Sequence, residues 1–170
     1  MLGIQRRNHT ERFSESANPT TRVLLTVFFT LGLLISWRRR VFGTAAYLVA
    51  WLLSYGVIYA GTCRNCAYYG KPCPIPLEGS CVQVFVPRGD TRFGYGSLFW
   101  ATSAYVMRVS VPAAILHADR LIAAGAAYTG ILALFWINHL WREGCPNCIN
   151  LECPLNPDHG SVGRAGNDSG

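Results

Sequence analysis

Hydrophobic positions in this chain are bunched rather than spread. They fall in four blocks, Val23 to Trp37, Val41 to Ala60, Ser97 to His117 and Leu121 to Trp141, and the segments between them hold nearly all of the Arg, Lys, Asp, Glu, Gly, Pro and Cys. About 20 apolar residues of α-helix cross a hydrocarbon core of about 30 Å. The blocks from Val41 and from Leu121 reach that length with no charged residue, longer than the buried helices of soluble domains usually stay uncharged. The first block is shorter, although Thr20 and Thr21 can extend it at headgroup level. A cleaved secretory signal is its rival reading, but the Arg38-Arg39-Arg40 triplet stands where small cleavage-site residues belong. Small residues at helical spacing, Gly56 with Ala60 and Ala126 with Gly130, are expected to let neighbouring helices approach.

Ser97 to His117 is the unusual block, because Arg108 lies near its middle and Pro112 one turn later. A midspan arginine costs at least ~2.5 kcal/mol unless it is paired or hydrated. No Asp or Glu lies within any block, so Arg108 is expected to use carbonyls, aromatic faces, water or a bound anion. Pro112 has no N–H to offer the carbonyl of residue 108, which predicts a kink and a free acceptor at the charge. Two expectations follow: a polar cavity in which Arg108 binds an anionic small molecule, or a side chain that reaches toward an interface.

Short loops, Arg38 to Arg40 and Ala118 to Arg120, make the blocks two antiparallel hairpins. The predicted fold is thus an all-α membrane protein of four transmembrane helices, with an irregular cysteine-rich cap on one face. Its segments are a polar flexible tail (1–21), a first hairpin (22–60), a Cys-rich loop (61–96), a second hairpin (97–141), a second Cys cluster (142–155) and a flexible tail (156–170). By parity both cysteine segments share a face. Arg6, Arg7, Arg12, Arg22, Arg64, Lys71, Arg88, Arg92, Arg142 and Arg164 lie on it, against Arg38, Arg39, Arg40 and Arg120 opposite. Counting Lys and Arg near helix ends makes the cluster face cytoplasmic, although the dense triplet pulls the other way. In the loop, Val82 to Val86 predicts a short strand before a turn at Pro87-Arg-Gly-Asp90.

Composition agrees: 51% hydrophobic and 14% charged residues over 170 positions exclude an ordinary soluble domain. The net charge of +6 suits anionic lipid headgroups, and no nucleic-acid partner is expected. No phosphate loop, nucleophile elbow, paired catalytic carboxylates or HExxH motif occurs, so the sequence does not decide whether the chain is an enzyme.

All seven cysteines avoid the four apolar blocks. Cys63-Arg-Asn-Cys66 continues to Cys73-Pro74, and Cys145-Pro-Asn-Cys148 continues to Cys153-Pro154, which reads as one unit present twice. Two CxxC pairs brought together make a tetrathiolate site, so Cys63, Cys66, Cys145 and Cys148 are the expected metal ligands. Cys73, Cys81 and Cys153 are candidates for a second site or for a disulfide. Zinc and an iron–sulfur cluster both remain open; the ferredoxin run CxxCxxCxxxCP is absent, although Cys-Pro recurs in such motifs. A cluster would suit electron transfer with a redox or membrane partner. Disulfides would dominate on an extracytoplasmic face. His117 and His139 sit near ends of their blocks that face opposite surfaces, and only His139 is a fringe ligand candidate. Trp37, Trp100, Trp136 and Trp141 fit an interfacial aromatic belt.

The strings Cys63-x-x-Cys66-x-Tyr68-Tyr69-Gly70-Lys71-x-Cys73 and Cys148-Ile-Asn-Leu-Glu-Cys153-Pro-Leu-Asn156 resemble those of small, uncharacterised prokaryotic cysteine-rich multi-pass membrane proteins. That resemblance implies a membrane setting and no particular activity.

Overall fold

The computed structural model describes Phe13 and residues 18–159. The expectation of flexible tails falls mostly outside these residues. Among the described residues the chain is all-helical, with four helices long and apolar enough to cross a membrane. These are α1 (Pro19–Trp37), α2 (Arg40–Gly61), α4 (Tyr95–Ala118) and α5 (Ile122–Asn138), the last reaching spanning length with the helical turns that continue it to Asn147, and a short α3 (Glu78–Phe85) lies in the long loop. The first helix starts four residues before the apolar block because Pro19 opens it, a position where a missing N–H costs nothing. Its 19 residues give a length of about 28 Å.

No more than 28% of the most apolar stretch of each long helix is buried inside the molecule. The outward remainder is greasy: Phe42, Leu52, Val41 and Leu34 are all largely exposed. An apolar girdle on this scale is a lipid-facing surface rather than a water-facing one. The inward face is aromatic. Phe28 stacks on Tyr128 with ring centroids 4.8 Å apart, and Phe29 meets Trp51 edge-on at 5.0 Å. The most extensive single helix–helix interface lies between α2 and α4, while α1 rests on α5 and α2.

Close approach is made by glycines other than those the spacing suggested. Gly56 and Gly130 have open space where a side chain would be, and Ala60 and Ala126 are exposed. A methyl group on Gly32 would instead collide with the Tyr47 ring, and one on Gly61 with Trp100. The helical spacing of small residues was real, but the face carrying it looks outward.

At one end of the bundle Arg38 and Arg39 bond to Asp119, at 3.4 and 2.5 Å, joining the two short loops. At the other end Glu143 accepts bonds from the Thr21 N–H and hydroxyl at 2.9 and 2.8 Å, and Asn138 donates to Thr21 Oγ1 at 3.0 Å. Glu143 closes a single π-helical turn, His139–Glu143, that follows α5.

The expected strand at Val82 to Val86 is a helix. Glu78, Gly79 and Val82 are its buried residues, a spacing that puts them on one helical face, and the Val86 N–H bonds to the Val82 carbonyl. A short apolar run cannot distinguish the two periods by itself. Helix α3 presses Val82 into the same core as the long helices, joined there by Cys63, Tyr69, Ile75 and Val86. The loop therefore shares the core of the bundle.

Candidate functional site

The long loop returns into the bundle through one strained turn. Leu77 stands at φ 68°, a left-handed conformation that leucine rarely adopts, with its carbonyl held by the Tyr59 hydroxyl at 2.8 Å. The next residue is Glu78, and this turn aims its carboxylate at Arg108. One carboxylate oxygen lies 3.3 Å from both Nη1 and Nη2 of the guanidinium, and Arg108 Nε donates to Ser54 Oγ at 2.8 Å. Trp51, Tyr55 and Tyr105 close the cage, each ring centroid 4.7 Å from Arg108 Cζ. Arg108 is fully buried. Helical side chains lean toward the helix N-terminus, so Arg108 of α4 reaches back toward the cysteine end. Burial pushes the Glu78 carboxyl up, and the Arg108 charge pulls it back.

This corrects the expectation for Arg108. Aromatic faces do receive it, but its counter-charge is a carboxylate from the loop, which a search confined to the spans does not find. Helix α4 runs on through Pro112. Sequence reasoning also passed over Ser54, Trp51, Tyr55 and Tyr105. A usable signal existed: Glu78 is the sole acid between Glu15 and Asp90, as isolated in the loop as Arg108 is in its span.

Above this pair lies a cavity of about 150 Å³ bordered by Glu78 and Tyr105 on one side. Cys63, Cys66, Cys73, Cys145, Cys148 and Cys153 all line it, and so does His139. Cys81, on α3, does not. The two CxxC segments adopt one local conformation. Each pair opens with a single 3₁₀ turn, Cys63–Asn65 and Cys145–Asn147, after which the second cysteine is extended. In each, the N–H of the second cysteine bonds to the carbonyl of the first at 3.2 Å. Tyr68 joins the halves, accepting the Ile149 N–H at 3.2 Å, and Asn150 Nδ2 lies 3.6 Å from Cys66 Sγ.

The four cysteines expected as ligands thus share one cavity, together with Cys73 and Cys153. They do not share one coordination sphere: among the described residues no three Cys, His, Asp or Glu side chains converge tightly enough to hold a single ion. None of the seven cysteines is disulfide-bonded. His117 is exposed at the far end, and His139 stacks on Phe135. Of the tryptophans assigned to a belt, Trp37 and Trp141 are outward, whereas Trp136 packs on Tyr105 at 4.8 Å.

No family model, curated protein or solved structure matches this chain. What the site can do must therefore come from its chemistry. Burial raises the thiols of Cys66, Cys73 and Cys153, and pushes that of Cys148 up to about 12. At neutral pH they are protonated unless a cation displaces their protons, which is how a metal acts on a coordinating thiol.

Proposed function

We propose that the chain is a multi-pass membrane protein, two helical hairpins under a cysteine-rich cap on the cytoplasmic face, whose cap holds a thiolate-bound metal centre for electron transfer. One observation carries the reading: six of the seven cysteines, drawn from two segments about 80 positions apart, border one cavity. Buried thiols placed for packing alone would have no reason to face a common space. An iron–sulfur cluster suits that space better than zinc. Four sulfurs at about 2.3 Å from one zinc ion would crowd within about 4 Å of each other. The cysteines instead surround a cavity of about 150 Å³. The excess of Lys and Arg on this face supports the cytoplasmic assignment.

A site for an anionic small molecule at Arg108 is the weaker reading, since Glu78, Ser54 and three rings already surround the guanidinium. The pair serves better as a buried anchor beneath the cysteine cavity. The test is anaerobic purification of the full chain in detergent, followed by iron, acid-labile sulfide and zinc determination and optical spectra. Iron and sulfide in similar amounts, with absorption bleached reversibly by a reductant, are expected. Zinc without a chromophore would leave a thiolate centre and remove electron transfer; absence of any metal would remove both.

A further inference from the structure

The first hairpin is tight near its loop and open toward the cap. Near the loop, Gly32 lets the Tyr47 ring lie against α1, and the Tyr47 hydroxyl donates to the Phe29 carbonyl at 3.0 Å. Phe29 and Trp51 line the groove of about 460 Å³ that continues between α1 and α2 to Pro76 and Leu77 of the loop. Its lining on α1 runs from Arg22 to Phe29, about 10 Å along the helix axis. Leu48 and Leu52 of α2 border it and are exposed on the lipid-facing girdle, so the groove opens sideways into the bilayer.

Arg22 gives this groove a preference for charge. Its side chain is half-buried at the rim. The acid at this helix end, Glu143, is taken up by the Thr21 N–H and hydroxyl. Among the described residues Arg22 pairs with no carboxylate, and its guanidinium makes no hydrogen bond. Arg38 and Arg39, by contrast, share Asp119, and Arg108 has Glu78. A guanidinium left half-buried and unpaired at the end of an apolar groove calls for an anion. The Tyr55 hydroxyl, which also lines the groove, makes no hydrogen bond among the described residues and supplies a donor for an ester carbonyl. A free phosphate would use the rim and leave the groove unfilled, and an acidic peptide would carry unsatisfied backbone groups into hydrocarbon. An anion with a fatty chain satisfies both ends.

We propose that the groove is a site for one anionic phospholipid from the leaflet on the cysteine side, with its phosphate on Arg22 and one acyl chain between α1 and α2. The site does not depend on the metal centre. Its occupant would cover Leu77, which is 57% exposed in the strained turn that aims Glu78 at Arg108. The chain would also lie behind Trp51 and Tyr55, two of the rings that enclose Arg108. A ligand held only by the folded state stabilises it, so the lipid braces the buried pair from the bilayer side.

The test uses the delipidated full chain in a neutral detergent, titrated with phosphatidylglycerol or phosphatidylcholine and read by native mass spectrometry and melting temperature. One phosphatidylglycerol is expected to bind about fivefold more tightly than phosphatidylcholine and to raise the melting temperature. Arg22→Gln is expected to bring phosphatidylglycerol down to the phosphatidylcholine level. Leu48→Trp, which fills the groove and keeps the charge, is expected to weaken both lipids. Arg40→Gln removes an exposed arginine at the opposite end of the bundle and is expected to change neither. Glycerol phosphate has the charge without the chain and is expected not to compete. Equal affinity for the two lipids in the parent chain, an undiminished preference in folded Arg22→Gln, unweakened binding in Leu48→Trp, an equal loss in Arg40→Gln, or displacement by glycerol phosphate overturns the site. Neither readout involves a metal, so failure of the metal centre and failure of the lipid site are seen separately.

Discussion

At the scale of single residues, the Arg108 and Glu78 pair controls the interior. Removing one member of a buried ion pair strands the other charge, at a cost of about 3–5 kcal/mol. Glu78→Ala and Arg108→Ala should each lower unfolding stability in detergent by that order. The double variant should lose far less than the sum, and additive losses would show that the two side chains do not interact. Arg108→Lys should also be destabilising, because an ammonium cannot offer the planar fork and ring stacking of the guanidinium. The thiols make a pH prediction. Burial raises Cys148 from 9.0 to about 12, which favours its protonated form in the folded, metal-free chain. That contribution is complete below pH 9.0 and disappears as pH rises toward about 12. Metal-free protein should therefore lose thermal stability over this alkaline range, and Cys148→Ser should flatten the loss. Loading of the proposed metal centre should run the other way, weakening as pH falls because protons compete for the sulfurs.

Among the elements, α3 transmits the loop to the bundle. Val84 is 75% exposed, so Val84→Pro removes a helical hydrogen bond without touching the core. We expect a loss of about 3 kcal/mol from the helix alone, and more if Glu78 is withdrawn from Arg108. A Val84→Pro variant as stable as the parent chain would show that α3 is not needed to place the carboxylate. The long helices were legible in the sequence because a bilayer demands length and polarity that no local context overrides. Their starts were less so: Pro19 and Tyr95 lie outside the apolar blocks, and neither start carries a side-chain cap hydrogen bond that the sequence could have signalled. Helix α3 was illegible for a physical reason, since Val82 to Val86 is too short to show a period. That the two cysteine segments share a face was legible from parity, but the exclusion of Cys81 from the cavity the other six line depends on the path of the loop, which spacing does not specify.

For the whole molecule, the arrangement is read most directly by sidedness. In sealed membranes, an impermeant thiol reagent should reach an introduced Asp119→Cys, in a chain whose native thiols are otherwise accounted for, from the side opposite to that from which an amine reagent reaches Lys71. Reaction of both from one side would break the four-crossing topology. The surface bonds of Arg38 and Arg39 to Asp119 should matter little for stability, about 0–1 kcal/mol, since exposed pairs are screened.

The Tyr68 hydroxyl that accepts the Ile149 amide has a consequence for biogenesis. A chain emerging from the ribosome completes its first thiol unit long before the last helix has been inserted. Until then Cys66 and Cys73 have no counterpart from the second unit. Nascent chains stalled before residue 145 should consequently be unable to retain the proposed metal centre, so its loading would have to wait until the second thiol unit has been made.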